Sequence, residues 1–232
     1  MRPAPPVLLT RPAADSERLA RTLRAEGAEV IVAPLLRIVP SGPLPEIAGG
    51  VLLTSGNGVE SYVALGGLGG VPAWVVGPRT ARRAAAAGFD VRGSAPDAAA
   101  LADAVPSDAP PLVHLRGAVQ RGDLAARLRA RGLAVAEAVI YRQEAVPLAA
   151  GARAALAAGP VLVPIYSPRT ARLLGEALTT AEAHNLRAIC LSGAVADALR
   201  RFGAIGPVTV AASPNGGAML QAIRSLLARR GG

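Results

Sequence analysis

The sequence Leu53-Thr54-Ser55-Gly56-Asn57-Gly58 returns in a related form 112 residues later, as Ile165-Tyr166-Ser167-Pro168-Arg169-Thr170. In both stretches a short apolar run ends near a serine, and residues suited to the start of a helix follow. This order is typical of a β-strand that passes through a tight turn into an α-helix, the repeating unit of parallel α/β sheets. The two stretches therefore predict an α/β fold that contains the same unit twice.

Two further pairs of segments extend this internal repeat. Val76-Gly77-Pro78-Arg79-Thr80-Ala81 matches Leu191-Ser192-Gly193-Ala194-Val195-Ala196, and Leu9-Thr10-Arg11-Pro12 matches Leu115-Arg116-Gly117. In each, a turn with small residues or proline follows an apolar run. Two similar α/β domains explain these pairs better than a single sheet does.

Apolar runs alternate with helical patterns rich in alanine, leucine and arginine along the whole chain. The continuous apolar character of the runs is typical of strands that are buried on both faces. The predicted strands are 7–10, 30–33, 51–54, 73–76, 111–115, 134–139, 161–166, 188–191 and 208–211, with 89–92 as a weaker candidate. The predicted helices are 14–26, 58–65, 79–87, 98–105, 122–131, 169–178, 195–202 and 217–230.

Two proline-bounded extended stretches, 34–40 and 139–147, are interpreted as connectors, since proline ends helices and removes a donor from a sheet. If the chain leaves the first domain near residue 36 and returns near residue 142, the first domain comprises 1–36 and 142–232. The second domain, 37–141, is then inserted into the first. Two connectors side by side would form a hinge, and the cleft that they span is the default ligand site.

Composition limits the classes of protein that fit this chain. Its 232 residues carry a net charge of +9, and every basic residue is arginine because the sequence contains no lysine. Hydrophobic residues make up 51% of the chain, which excludes intrinsic disorder. Aromatic residues make up only 3% and the arginines are dispersed, which argues against a nucleic-acid-binding protein. The lack of lysine excludes the Gly-Lys-Ser/Thr phosphate loop.

Several features predict a cytoplasmic protein without a metal. No apolar run approaches the about 18 residues of a membrane-spanning helix, and the run 7–10 is too short for a signal peptide. The single cysteine, Cys190, is predicted to be buried on a strand. His114 and His184 have no cysteine or carboxylate partners at metal-ligand spacing. The chain has no Gly-x-Ser-x-Gly motif, so we expect no acyl-enzyme.

The turns after the predicted strands combine a hydroxyl group, a glycine or proline, and a helix start whose first N–H groups lack intrahelical partners. Such helix starts bind anions, and an arginine binds a carboxylate through two hydrogen bonds. Taken singly, each turn is better explained as a helix cap and each arginine as a solvated charge. Several turns facing one cleft would form a receptor for carboxylates or phosphates. The arginines near these turns are Arg11, Arg79, Arg116, Arg121 and Arg169.

Tyr141 is one of only three tyrosines and lies in the second connector. Its hydroxyl group could face the cleft as a hydrogen-bond donor or an acid. The alternative is that the ring packs against the hinge, and the spacing alone leaves both interpretations open.

The order of these motifs resembles the uroporphyrinogen-III synthase family. The segments that carry the resemblance are 7–12, 27–30 with 34–35, 54–55, 76–81, 115–117 with Arg121, 139–142 and 166–168. No single segment is specific, but together they cover nearly the whole chain in the family's order. The resemblance implies two similar flavodoxin-like domains, each a three-layer structure on a parallel sheet. It also implies that a two-stranded β-ladder hinge, formed by the connectors, joins them.

The resemblance further implies a cofactor-independent lyase of tetrapyrrole and heme biosynthesis. Its substrate would be hydroxymethylbilane, a linear tetrapyrrole with acetate and propionate groups on every ring. The enzyme would close it to uroporphyrinogen III with inversion of ring D and loss of water, whereas the precursor alone closes to the uninverted isomer. This is mainly a problem of positioning. We expect a monomer that takes its substrate by hand-over from hydroxymethylbilane synthase.

The resemblance also assigns residues to the site. Tyr141 would help to protonate the departing hydroxyl group, as the catalytic residue. Backbone N–H groups and side chains at the strand-end turns would bind the carboxylates. The expected substrate-binding residues are Thr10, Arg11, Ser55, Gly56, Asn57, Gly77, Arg79, Thr80, Arg116, Gly117, Arg121, Ser167, Pro168, Arg169 and Ser192. Val195 departs from the family pattern, because many relatives have threonine there.

A second function class also fits a hinged pair of α/β domains. A non-enzymatic binder of a small polyanionic ligand, similar to periplasmic binding proteins, would hold its ligand in the same kind of cleft. The lack of a signal peptide argues against it. A nucleic-acid-binding protein that uses the +9 charge would instead show strongly salt-dependent affinity for DNA or RNA.

Overall fold

The computed structural model describes residues 4–119 and 122–228. These ranges form a mixed α/β fold with two sheets. The strands are β1 (Val7–Leu9), β2 (Val30–Val32), β3 (Leu36–Pro40), β4 (Gly50–Leu53), β5 (Pro72–Val76), β6 (Asp90–Ala95), β7 (Leu112–Gly117), β8 (Val135–Ala145), β9 (Val161–Ile165), β10 (Leu186–Cys190) and β11 (Val208–Val210). The helices are α1 (Ala13–Ala25), α2 (Gly56–Ala64), α3 (Pro78–Ala86), α4 (Ala98–Ala104), α5 (Leu124–Ala130), α6 (Ala150–Ala158), α7 (Pro168–Ala177), α8 (Thr180–Asn185), α9 (Gly193–Arg200) and α10 (Gly216–Ala228).

The chain divides into two compact units. Unit 1 consists of the residues up to Arg37 and from Ala145 onward, and unit 2 is Ile38–Glu144. The five-stranded sheet of unit 1 has the order β11-β10-β9-β1-β2, and the second sheet has the order β3-β8-β7-β4-β5-β6. The chain therefore passes from one unit to the other within β3 and again within β8.

The two strand orders confirm the internal repeat. Reading β6-β5-β4-β7-β8 against β11-β10-β9-β1-β2 pairs β4 with β9, β5 with β10 and β7 with β1. These are the strands that precede the three pairs of turns matched in the sequence. The strands within each of these five-stranded sets pair in parallel. The two five-stranded sets thus share one spatial order, although the chain visits their strands in a different sequence and the second sheet has the additional edge strand β3.

Alternating side chains place each sheet between two apolar clusters. In unit 1, Leu8 belongs to one cluster, and its neighbours Val7 and Leu9 belong to the other. In unit 2, Leu52 and its neighbour Leu53 divide in the same way. Strands covered on both faces must be apolar at every position, which explains the continuous apolar runs.

Two helices escaped the sequence prediction, and both lie in unit 1. α6 follows the second connector, and α8 is a short helix with a capping box in which Thr179 and Glu182 satisfy each other's backbone. The prediction for α1 is confirmed, and Gly27 ends it with a φ of +82°. Cys190 is fully buried on β10, as predicted.

No helix in the described ranges is long and apolar enough to cross a membrane.

Candidate active site

The carboxyl ends of parallel strands meet at one edge of a sheet, and this edge carries the predicted residues of unit 2. Ser55 follows β4, Gly77 follows β5, Gly117 ends β7, and Tyr141 lies beside Gly117 on β8. Open α/β sheets bind their ligands at this edge. The structure therefore brings the predicted tyrosine and the strand-end turns of unit 2 together.

Tyr141 is held at this edge by three contacts. Its side chain is largely buried in the apolar cluster of unit 2, with a residue exposure of 7%. Its ring lies on Gly117, so close that a Cβ atom built there would be 2.6 Å from Cε2. Its hydroxyl oxygen is 3.1 Å from Ser55 Oγ. The ring is thus fixed by packing and the hydroxyl by a hydrogen bond.

A bulge in β8 directs Tyr141 to this position. Arg116 pairs with Val139, but the next residue of β7, Gly117, pairs with Tyr141, so that Ile140 is the extra residue. As a result the consecutive residues Ile140 and Tyr141 lie in one apolar cluster. Bulges of this kind re-aim side chains next to active sites.

The start of α2 combines an N-cap with a nearby guanidinium group. Ser55 Oγ accepts a hydrogen bond from the Gly58 N–H at 3.4 Å. The Arg83 side chain reaches over Gly56, where a Cβ atom would be 2.8 Å from Arg83 Cδ. Glu60 forms an ion pair with Arg83 at 3.0 Å. Gly56 therefore leaves room for a cation beside the first turn of α2, which also contains Asn57.

The residues at the start of α3 differ in what they can offer to an anion. Gly77 has a φ of +82°, which favours glycine, and its N–H donates to the Ala95 carbonyl at 2.7 Å. Pro78 has no N–H, so the amides of Arg79 and Thr80 are the ones that this turn offers to an anion. The Arg79 side chain is exposed and the Thr80 side chain is buried.

Arg116 belongs to a charged cluster formed by residues of β7, β8 and α5. Its Nε lies 3.0 Å from Glu137 Oε1, and Arg129 Nη2 lies 3.5 Å from Glu137 Oε2. His114 lies beside them with 2% exposure, and its Nδ1 is 3.9 Å from Glu137 Oε1. Burial lowers the pKa of His114 to about 4 despite the nearby carboxylate, so the imidazole is neutral at neutral pH. Arg121 lies outside the described residues.

In unit 1 the corresponding edge carries Thr10, Arg11 and Tyr166. Thr10 follows β1 with 0% exposure, and its hydroxyl group has no hydrogen-bond partner among the described residues. Arg11 forms an ion pair with Asp15 at 2.5 Å, and its guanidinium carbon lies 4.4 Å from the centre of the Tyr166 ring. The cation of Arg11 is thus fixed between a carboxylate and an aromatic face.

Two helix starts complete the edge in unit 1. Ser167 caps α7 by accepting from the Thr170 N–H at 3.1 Å, and Pro168 occupies the first turn. Arg169 follows in the same turn and is half-buried. Ser192 precedes α9 without a side-chain cap bond. Val195 is 1% exposed and belongs to the apolar cluster of unit 1, so position 195 offers no hydroxyl group.

The sequence prediction did not assign roles to Tyr166 and Arg83. The sequence does contain a further signal for two of the helix starts, because Pro-Arg-Thr-Ala-Arg occurs twice, at 78–82 and 168–172. It begins α3 in unit 2 and α7 in unit 1. The position of Arg83 over Gly56 has no such signal, since it depends on how α2 and α3 pack.

Residues 4–119 and 122–228 contain no group of three or more histidine, cysteine or acidic side chains that could hold a metal ion. Burial raises the pKa of the Cys190 thiol to about 11, so it is not a nucleophile at neutral pH. What these edges offer is helix N-termini, arginines and one buried phenol.

Comparison with known proteins decides between the function classes. The family model described as uroporphyrinogen-III synthase HemD matches residues 17–221. The chain belongs to the uroporphyrinogen-III synthase family. Uroporphyrinogen-III synthases are cyclising lyases of tetrapyrrole and heme biosynthesis that act on a small molecule. This assignment does not favour a non-enzymatic binder of a polyanion.

Solved structures agree with this fold. The uroporphyrinogen-III synthetase of Helicobacter pylori 26695 is 18% identical, with 96% of this chain and 99% of that chain covered and a TM-score of 0.69. A mutant uroporphyrinogen III synthase of Thermus thermophilus is 19% identical, with 98% and 100% covered and a TM-score of 0.52. Comparison with curated protein sequences gives no match.

Proposed function

We propose that this synthase closes hydroxymethylbilane to uroporphyrinogen III, with inversion of ring D and loss of one water molecule, without a cofactor. The observation that carries the proposal is the Tyr141 hydroxyl group, held 3.1 Å from Ser55 Oγ at the carboxyl edge of the unit 2 sheet. A phenol at this edge can give a proton to a departing hydroxyl group. The substrate's carboxylates would then be bound by the turns around it.

The carboxylate-binding set is the group of strand-end turns in both units. Helix N-termini stabilise negative charge through their unpaired N–H groups. Arg11 and Arg116 are supported because Asp15 and Glu137 fix the direction of their guanidinium groups. Many weak contacts suit a flexible polyanion, because they select one bent conformation and thereby the pyrrole carbon that is attacked.

We also propose that the two compact units are the two domains of the synthase, with unit 2 inserted into unit 1. The chain passes between the units within β3 and β8, which supports a hinge made of these two strands. We further propose that the protein is a cytoplasmic monomer and that hydroxymethylbilane synthase hands its substrate over to it.

Consumption of freshly made hydroxymethylbilane tests this function. The precursor should disappear faster with the protein than in buffer, in proportion to protein concentration. A rate equal to that in buffer at every protein concentration would reject the proposal.

The Tyr141→Phe variant should retain the isomer choice but lose rate. Removal of the phenol takes away the proton donor and leaves the ring on Gly117, so kcat should fall by about tenfold or more. Type III should remain the main product, because the turns still bend the substrate. Full kcat in Tyr141→Phe, measured by precursor consumption at saturating substrate, would remove the proton-donor role.

The Thr10→Val variant should be more stable than the wild type and bind substrate less well. The Thr10 hydroxyl group is fully buried and has no hydrogen-bond partner among residues 4–119 and 122–228. A buried hydroxyl group left unpaired lowers stability by about 1 kcal/mol or more, and valine has nearly the same shape. Urea unfolding should therefore show a gain of about 1 kcal/mol, while KM rises. An unchanged KM would take Thr10 out of the binding set.

A further inference from the structure

The hydrogen bond between Ser55 and Tyr141 can run in either direction. Each hydroxyl group has one proton, and the two oxygens are 3.1 Å apart. If Tyr141 donates, its proton is already engaged with Ser55. If Ser55 donates, the Tyr141 proton is left for a substrate. The direction therefore decides whether the phenol is ready to act as an acid.

The surroundings of Ser55 favour donation to Tyr141. Ser55 Oγ already accepts the Gly58 N–H as the N-cap of α2. With one hydrogen bond accepted there, its own O–H proton needs an acceptor, and Tyr141 Oη lies at hydrogen-bond distance. Donation by Tyr141 would instead use the second lone pair of Ser55 Oγ and leave the Ser55 proton without this acceptor.

We propose that Ser55 is a positioning residue that donates its hydroxyl hydrogen bond to Tyr141 and so keeps the phenol proton directed to the substrate. The inference rests on the proposed function, since it assumes that Tyr141 protonates the leaving group. It adds a role for the Ser55 side chain to the family-based expectation, in which the backbone N–H groups of this turn bind carboxylates.

In the proposed step the phenol proton passes to the leaving group. The proton moves from Tyr141 Oη to the substrate's hydroxymethyl oxygen, the carbon–oxygen bond breaks with its electron pair on oxygen, and water departs. Ser55 then donates to a phenolate, and a hydrogen bond to a charged acceptor is stronger than one to a neutral phenol. The terminal pyrrole attacks the cation left at the methylene carbon and forms the carbon–carbon bond that closes the ring. The attacking pyrrole carbon then gives its proton to the phenolate, which restores the phenol. The net change is the loss of one water.

Removal of the Ser55 hydroxyl group also removes a helix cap, and the two effects must be separated. Loss of an N-cap is expected to lower Tm by about 2–4 °C. Asp97 offers a matched control, because its carboxylate caps α4 of the same unit by accepting from the Ala100 N–H at 2.9 Å. Asp97→Ala should lower Tm similarly and leave kcat unchanged. Glycine caps helices nearly as well as serine, so Ser55→Gly removes the hydroxyl group with little loss of stability.

A double-mutant cycle tests the proposal. Ser55→Ala and Ser55→Gly should each lower kcat by about tenfold, the effect of losing one hydrogen bond to a charged group. Ser55→Thr should restore most of the rate. In a Tyr141→Phe background, Ser55→Ala should change kcat by less than about twofold, because its effect passes through the phenol.

The outcomes separate the two proposals. If Tyr141→Phe slows the reaction but Ser55→Ala lowers kcat by the same factor in both backgrounds, or changes only KM, Ser55 acts on the substrate directly and the inference is overturned. The same holds if Ser55→Ala leaves kcat unchanged. If Tyr141→Phe keeps the full rate, the proton-donor role itself fails, and the inference fails with it.

Discussion

Replacement of Gly117 with alanine is expected to remove most of the synthase activity and to destabilise the protein. A Cβ atom at residue 117 would lie 2.6 Å from Tyr141 Cε2 and 2.7 Å from Cζ, well inside van der Waals contact. The tyrosine is largely buried and has little room to move away, so the ring must tilt or β7 must shift. Either change breaks the 3.1 Å contact with Ser55.

The Gly117→Ala variant should lose both stability and catalytic rate. Overpacking of a well-packed site destabilises a protein by about 1–3 kcal/mol. Displacement of the phenol should lower kcat at least as much as Tyr141→Phe does, by about tenfold or more. Urea unfolding and precursor consumption measure the two effects separately.

Gly93→Ala provides a matched control for this variant. Gly93 lies on β6 of the same sheet, and a Cβ atom there would meet Trp74 Cδ1 at 2.9 Å. Gly93→Ala should thus cause a loss of stability of the same order while kcat remains near the wild-type value. If Gly117→Ala keeps the wild-type kcat, the position of Tyr141 against Gly117 is not required for the reaction.

Acid should destabilise the protein through His114. Burial holds its folded-state pKa at about 4, compared with 6.5 in the unfolded chain. The unfolded chain therefore binds the proton first, and stability that is complete above pH 6.5 is lost as the pH falls towards 4. A shift of this size corresponds to about 3 kcal/mol. The charged groups near the imidazole are Glu137, which favours the proton, and Arg116 and Arg129, which oppose it.

Urea unfolding at several pH values checks this expectation. The His114→Leu variant should show a clearly smaller loss of stability between pH 6.5 and pH 4. His184, which lies exposed on α8, supplies the control, and His184→Asn should follow the wild-type curve. If His114→Leu and the wild type lose stability equally over this range, the buried imidazole is not the source.

Most strands and helices could be predicted from the sequence because local patterns of apolar residues determine them. The runs that became β1, β4, β9 and β10 are apolar at nearly every position, as doubly covered strands require. The strand predicted at 89–92 was only a weak candidate because its sequence is less apolar than those runs. β6 is an edge strand with half-exposed residues, so its sequence is less apolar and its bounds were misplaced, with Asp90–Ala95 observed.

The two helices α6 and α8 were missed for different reasons. α8 carries a capping box at Thr179 and Glu182, a signal that the sequence does contain. α6 lies next to a connector and is mostly alanine and glycine, so it has little amphipathic pattern. The predicted connector 34–40 and the edge strand β3 both end at Pro40, where a missing N–H donor is tolerated.

The site was predictable only in part. Strand-end serines such as Ser55 and Ser167 are local features, and both act as helix caps. The contact between Ser55 and Tyr141 joins residues 86 positions apart. It requires the β8 bulge at Ile140, which no local pattern marks. Contacts that depend on strand register and on packing cannot be predicted from single segments of the sequence.

The isomer composition of the product shows whether the protein has uroporphyrinogen-III synthase activity. Freshly made hydroxymethylbilane is incubated with increasing amounts of the wild-type protein, and the type I and type III products are resolved. Our account predicts that the type III fraction rises with protein concentration until type III is nearly the only product. Type I as the sole product at every protein concentration would contradict it.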